Sequence, residues 1–158
     1  MGSEMCIRDS VGPDYIPGHA HADTLSFELS LGAERIVVNG GTSTYASGVL
    51  REAQRATRTH STVEIAGQDS SEVWASFRVA RRARVMDVQV DEQGDRISVT
   101  GAHDGYCRLA GRPLHRRSWT FNRGSLLVED RIESARRLPT VARIHLGPDV
   151  IAVKPSSA

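Results

Sequence analysis

The densest group of side chains able to do chemistry is Gly18-His19-Ala20-His21-Ala22-Asp23, two imidazoles and a carboxylate just ahead of the alternating run LSFELSL. On a strand, positions i and i+2 project from the same face, so His19 and His21 are expected to stand side by side. Neutral imidazole and carboxylate are ordinary zinc ligands, and a tetrahedral set needs further donors from elsewhere in the chain. His60, in RTHSTVEI, is the best remote candidate, because it too precedes a strand and follows a long polar loop. Asp23 and Asn39 are the oxygen-bearing candidates near the pair. The plainer alternative is a polar loop carrying two solvated histidines. His103, His115 and His145 lie within or at the ends of strand-like runs, where a hydrogen-bonded or exposed structural histidine is expected.

The elements that must position these residues read as strands. Short runs rich in Val, Ile, Thr and aromatics alternate apolar and polar positions: LSFELSL (25–31), RIVVN (35–39), STVEIAG (61–67), EVWASFRVA (72–80) and RVMDVQVD (84–91). RISVTGAHD (96–104), HRRSWTFN (115–122), SLLVEDRIE (125–133), VARIHL (141–146) and VIAVK (150–154) continue the series. LGAER, DEQGD, FNRGS and LGPD supply the Gly, Asn or Asp that tight reversals require. Such a series predicts an all-β fold, a two-layer antiparallel sandwich of the supersandwich type with little helix, since one open sheet would leave an apolar face wet. The exception is GVLREAQRA (48–56), whose helical composition predicts one helical turn or an ordered loop within the 39–60 connection.

Composition narrows the function classes. The 158 residues fit one domain with a real core. With 20 Lys+Arg against 19 Asp+Glu, charge gives no global case for nucleic acid or an anionic membrane. The basic clusters RVARRAR (78–84) and HRR (115–117) are expected on a solvated sheet face or edge. Two cysteines, Cys6 and Cys107, are too few for a disulfide framework or a thiolate zinc site. No stretch approaches the apolar length of a membrane span. The first ten residues, MGSEMCIRDS, lack the apolar core and cleavage site of a secretory signal. EMCIRDS looks like the in-frame translation of a transposon end, so residues 1–10 are expected to be a non-native or disordered leader and natural sequence to begin near Val11.

His-x-His on a β-sandwich also raises the cupin metalloenzymes. Those place a metal-binding glutamate three or four residues after the pair, whereas Glu28 comes after six, on the opposite face of a continuous strand. The second cupin motif, Pro-x-Gly with a later His and Asn, is absent. A different family accounts for more of the chain. GHAHADTLSFEL, then RIVVNGGTSTY, then THSTVEIAGQDSSEVW, and finally HRRSWTF, LLVEDRI and ARIHLGP resemble in order the C-terminal β-sandwich domain of the heparinase II/III-like polysaccharide lyases, over Val11 to about residue 155.

The resemblance implies roles residue by residue. His19 matches the histidine that reaches the substrate cleft and takes part in catalysis or charge neutralisation. His21 and His60 match ligands of a zinc ion, and Asn39 stands at the strand-end position where an aspartate ligand is usual. Asparagine is a neutral and poorer zinc ligand. Ser61 occupies a position usually held by asparagine, and Tyr45 matches a recurrent tyrosine expected to pack and hydrogen-bond near the loop. The metal's implied role is structural, pinning the 40–60 loop against the first strand. The implied reaction is β-elimination on uronate-containing polysaccharide such as glycosaminoglycan or alginate. Its carboxylate neutraliser and tyrosine acid/base come mainly from an N-terminal helical toroid that this sequence does not encode. The chain alone is therefore expected to be inactive, its partners being an acidic polysaccharide and the missing helical domain. Family analogy implies a periplasmic or cell-envelope location. The reading from another class is a non-catalytic carbohydrate-binding or structural β-sandwich module.

Overall fold

The computed structural model describes residues 3–7 and 19–151. It is an all-β sandwich. One antiparallel sheet contains β1 (Ser3–Ile7), β2 (Phe27–Leu31) and β3 (Glu34–Val38), closed on its far edge by β12 (His145–Leu146). The facing sheet is a meander of β7 (Val85–Gln93), β8 (Arg96–His103), β9 (Leu114–Asn122) and β10 (Ser125–Glu133). Two small ladders complete the set: β4 (Val63–Ile65) pairs with β11 (Thr140–Ala142), and β5 (Val73–Trp74) forms a hairpin with β6 (Arg78–Val79). Helix α1 (Val49–Arg55) lies in the long connection between β3 and β4. No helix among the described residues is long and apolar enough to cross a membrane.

Alternation decides what each strand buries. Leu25, Phe27, Leu29 and Val37 from the first sheet and its approach meet Trp119 of β9 in one buried cluster. Phe27 and Trp119 touch edge to face, with centroids 6.3 Å apart. A second cluster under the small ladder holds Val63, Ile65 and Tyr106, whose hydroxyl donates to the Val63 carbonyl at 2.6 Å.

Three departures from the sequence expectations have local causes. His19 and His21 do not sit on a strand, because Leu25 takes a left-handed φ of 58° and β2 starts only at Phe27. The run 72–80 is broken into a hairpin at Ala75, φ 48°, which faces β5 back onto β6. The run 141–146 splits because β11 pairs with β4 while β12 pairs with β3, so the chain changes sheets between Ala142 and His145. Residues 3–7 of the expected leader form edge strand β1, every residue paired with one of β2. The remaining leader residues, and 152–154 of the expected last strand, lie outside the described residues, while 150–151 are not in a strand.

Register in the second sheet builds a buried polar line. On β9 the inward phase is His115, Arg117, Trp119. His103 stands opposite His115, and Asp130 opposite Arg117. Gly105 donates its N–H to His103 Nδ1 at 3.2 Å, which leaves His103 Nε2 as the donor to His115 Nδ1 at 2.9 Å. His115 Nε2 then donates to Asp130 Oδ1 at 2.7 Å. Gly105 is obligatory for this start, since a Cβ there would lie 2.2 Å from the Ser70 carbonyl oxygen. Arg117 closes the other end, gripping both Asp130 oxygens at 2.7 and 2.8 Å. Burial favours neutral imidazoles and holds His103 well below its ordinary pKa, reinforced by His115 and Arg117. His115 is lowered by burial despite its Asp130 partner. For Asp130 burial works upward, but the His115 and Arg117 hydrogen bonds bring the carboxyl down to about 2.

The linkage sign is the same for all three groups. Each native pKa is depressed, so the unfolded chain binds the extra protons and stability is lost as pH falls. The Tm should therefore drop as pH descends through about 6.5, where unfolded histidines charge, and again below about 4, where unfolded carboxyls protonate. Thermal denaturation from pH 8 to pH 3 checks this. Replacing Arg117 with Met strands a partly buried carboxylate and should cost about 3 kcal/mol or more in urea denaturation.

Candidate functional site

His21, Asn39, His60 and exposed His19 line one cleft of ≈ 420 Å³, together with Asp23, Glu28, Arg35 and Thr42. A larger cleft of ≈ 620 Å³ lies at the opposite end between Leu31 and Arg123. Its charged groups, Asp95 and Arg123, are already paired at 2.8 Å, and no histidine lines it. The smaller cleft is the one that gathers the histidines.

The convergence of His21 and His60 across 39 positions is direct: His21 Nδ1 and His60 Nε2 are 3.2 Å apart, with both residues buried. The tautomer is fixed from behind. Arg51 Nη1 lies 3.3 Å from His21 Nε2, and a guanidinium can only donate. Thr42 Oγ1 accepts from the same Arg51 nitrogen at 3.1 Å and stands 3.1 Å from His21 Nε2. Nε2 is thus the acceptor, and Nδ1 carries the proton toward His60.

The loop bearing His60 is fixed by its neighbour Ser61, whose three polar groups are all engaged. Its N–H donates to Asn39 Oδ1 at 2.7 Å, its hydroxyl to the Val38 carbonyl at 2.9 Å, and its carbonyl accepts from Arg117 Nη1 at 2.7 Å. The same Arg117 nitrogen holds the Leu25 carbonyl at 3.0 Å, stabilising the left-handed residue that turns the histidine segment into β2. Gly40 lets the opposite wall approach: its N–H donates to Thr59 O at 2.9 Å, and a Cβ would lie 2.7 Å from that oxygen.

Helix α1 points its positive charges inward. Arg51 and Arg55, one helical turn apart, are fully buried, while Val49 and Leu50 are exposed. Arg55 Nε donates to Ala20 O at 2.9 Å, and its terminal nitrogens reach the carbonyls of Trp74, Ala75 and Arg78. Burial, and then the charge of Arg51, lowers the Arg55 pKa. One arginine thus ties the segment between His19 and His21 to the β5–β6 hairpin.

The expected metal shell is incomplete. Two imidazole nitrogens 3.2 Å apart would suit a shared cation, which at about 2.0–2.1 Å from each leaves similar spacing. Asn39, the expected third ligand, spends its amide on the fold instead, Oδ1 on Ser61 N–H and Nδ2 on the Phe27 carbonyl at 3.3 Å. Among the described residues no group of three or more His, Cys, Asp or Glu side chains is arranged to hold a metal ion. Binding through His21 Nδ1 would also move the ring proton to Nε2, against the Arg51 N–H. In this arrangement His21 and His60 face one another, and Asn39 would have to release Ser61 to join them as a ligand.

His19 differs from its neighbour. It is exposed, its Nδ1 sits 3.2 Å from the Tyr45 hydroxyl, and its other nitrogen makes no hydrogen bond among the described residues. Tyr45 was expected to pack and hydrogen-bond near the loop, and its hydroxyl is the partner of His19. Sequence reasoning missed Thr42, Arg51, Arg55 and Arg117. The inward phase of β9 could have flagged Arg117, whereas no local signal marked the helix arginines as buried.

Comparison with known proteins agrees with this architecture. The chain is similar to a crystal structure of a mutant heparan sulfate lyase HepC from Pedobacter heparinus, with 21% identity and a TM-score of 0.73 over 93% of this chain and 21% of that one. It is also similar to the heparinase III BT4657 gene product, with 15% identity and a TM-score of 0.74 over 96% of this chain and 22% of that one. The chain thus spans about a fifth of the length of these structures. No curated protein matches the sequence. The family described as heparinase II/III-like, C-terminal, matches residues 9–158. That match takes in every strand but β1, together with α1 and every side chain of the cleft, and the chain belongs to the heparinase II/III-like C-terminal domain family.

Proposed function

We propose that the chain is the β-sandwich portion of a polysaccharide lyase that cleaves uronate-containing polysaccharide by β-elimination, with His19 the side chain it offers to the reacting sugar. The observation that carries this reading is the cleft in which exposed His19 stands over the buried His21–His60 pair. In the elimination a base removes the C5 proton, the C5–H electron pair forms the C4–C5 double bond, and the C4–O pair leaves with the glycosidic oxygen. The leaving oxygen must gain a proton, and negative charge growing on the uronate carboxylate must be stabilised. His19 is placed to do one of these tasks. Its contact with the Tyr45 hydroxyl gives it a partner that can hold or return a proton. His21 and His60 serve as a hydrogen-bonded support that fixes the floor of the cleft.

The other groups of the reaction belong to a helical domain outside this chain, which accounts for a cleft that offers one exposed histidine among the described residues. Heparan-type glycosaminoglycan is the first substrate to assay and alginate the second. A periplasmic or envelope location suits both.

Ultraviolet detection of unsaturated product tests the proposal. The isolated chain should release almost none. A longer protein carrying this domain should release it, and His19→Ala in that protein should lower kcat by about 100-fold or more with an unchanged Tm. Absence of product from the longer protein on every uronate polymer would leave a non-catalytic carbohydrate-binding module. Chelation should leave the Tm of the 158-residue chain unchanged, because its cleft is held by hydrogen bonds. A Tm lowered by chelator and restored by zinc would contradict this.

A further inference from the structure

Aromatic side chains are scarce in this chain, and their placement is uneven. Phe27, Tyr106 and Trp119 are buried. Tyr45, Trp74 and Phe77, the exposed aromatics among the described residues, are each about half exposed and gather beside the His19 cleft. Tyr45 joins them to it through the contact with His19 Nδ1. Tyr45 and Phe77 lie nearly parallel, 8° between planes and 6.2 Å between centroids. Trp74 and Arg78 are directly paired across the β5–β6 hairpin, with the guanidinium carbon 4.7 Å from the indole centroid.

This surface is held rigid at a cost. A two-stranded hairpin is marginal on its own. Here Arg55 gathers the carbonyls of Trp74, Ala75 and Arg78, Arg51 Nε holds the Ser76 carbonyl at 3.3 Å, and Ser76 Oγ bonds Ser47 Oγ at 2.7 Å. Two buried guanidiniums are a large desolvation expense for positioning a short exposed hairpin. Arg51 also lies under Tyr45, 5.2 Å from its centroid, so the platform is cationic as well as aromatic. Flat apolar faces beside guanidiniums match a ligand with apolar C–H faces and anionic groups. A pyranose chain bearing carboxylates or sulfates has both.

We propose that Tyr45, Phe77, Trp74 and Arg78 form a stacking platform that guides an acidic polysaccharide into the His19 cleft. Sugar rings lie against the Phe77 and Trp74 faces, and Arg78 meets an acidic substituent. The platform rests on the polysaccharide reading above, but it requires binding alone and no bond cleavage. Preorganisation by Arg51 and Arg55 removes ordering entropy from the binding step.

Isothermal titration of the 158-residue chain with a heparan sulfate hexasaccharide and with neutral cellohexaose tests it. Binding should favour the acidic ligand and weaken with salt. Trp74→Ala and Phe77→Ala should each raise Kd by about tenfold with unchanged Tm, and Arg78→Gln should reduce the preference for the acidic ligand. Affinities within twofold of wild type for both aromatic variants overturn the platform. So does absence of wild-type binding up to the solubility limit of the hexasaccharide, or variants that change only self-association in sedimentation. If a longer protein carrying both aromatic variants keeps its KM while releasing unsaturated product, the platform fails and the lyase stands. If the variants lose affinity while no longer protein yields product, the platform stands and the lyase fails.

Discussion

One guanidinium, that of Arg117, ties the two sheets to the loop on which the cleft depends. It grips Asp130 on the neighbouring strand with two nitrogens and spends the third on the carbonyls of Leu25 and Ser61. Those carbonyls belong to segments far apart in sequence, one ahead of β2 and the other beside His60. A planar fork with fixed donor directions can make all these bonds at once, and an ammonium could not. Because Asp130 keeps its charge, Arg117 is neutralised in place and its remaining donors act as a rigid bracket.

From that bracket the site follows outward. Ser61 is held at N–H, carbonyl and hydroxyl, so His60 has little freedom. Arg51 and Thr42 fix His21 from the opposite side, and its ring proton is directed at His60. Arg55 carries the same rigidity into the hairpin that bears Trp74 and Phe77. The protein's own donors therefore hold both walls of the cleft, and Asn39 contributes as a bridge between β2 and the 61 position.

Much of the fold was legible in the sequence because its long strands obey simple rules. β7 to β10 show clear alternation separated by DEQGD and FNRGS, and the structure turns at Gly94 and Gly124, both at positive φ. The meeting of residues 21 and 60 was legible only through a spaced set of motifs, since no local pattern encodes a contact across 39 positions. Other features were hidden because tertiary contacts override local preference. Leu25 and Ala75 adopt left-handed conformations that nothing in their side chains favours, and each breaks an expected strand. Arg51 and Arg55 reverse the usual burial of a surface helix, which periodicity would assign as solvated charge.

The account's central claim is that hydrogen bonds set the imidazole pair, and long-range proton–nitrogen NMR of the histidine rings tests it most directly. The account predicts His21 protonated at Nδ1, its Nε2 with the shift of an acceptor, and the Nδ1 proton in a hydrogen bond to His60 Nε2. A His21 ring protonated at Nε2, with Nδ1 shifted by added zinc, would contradict it.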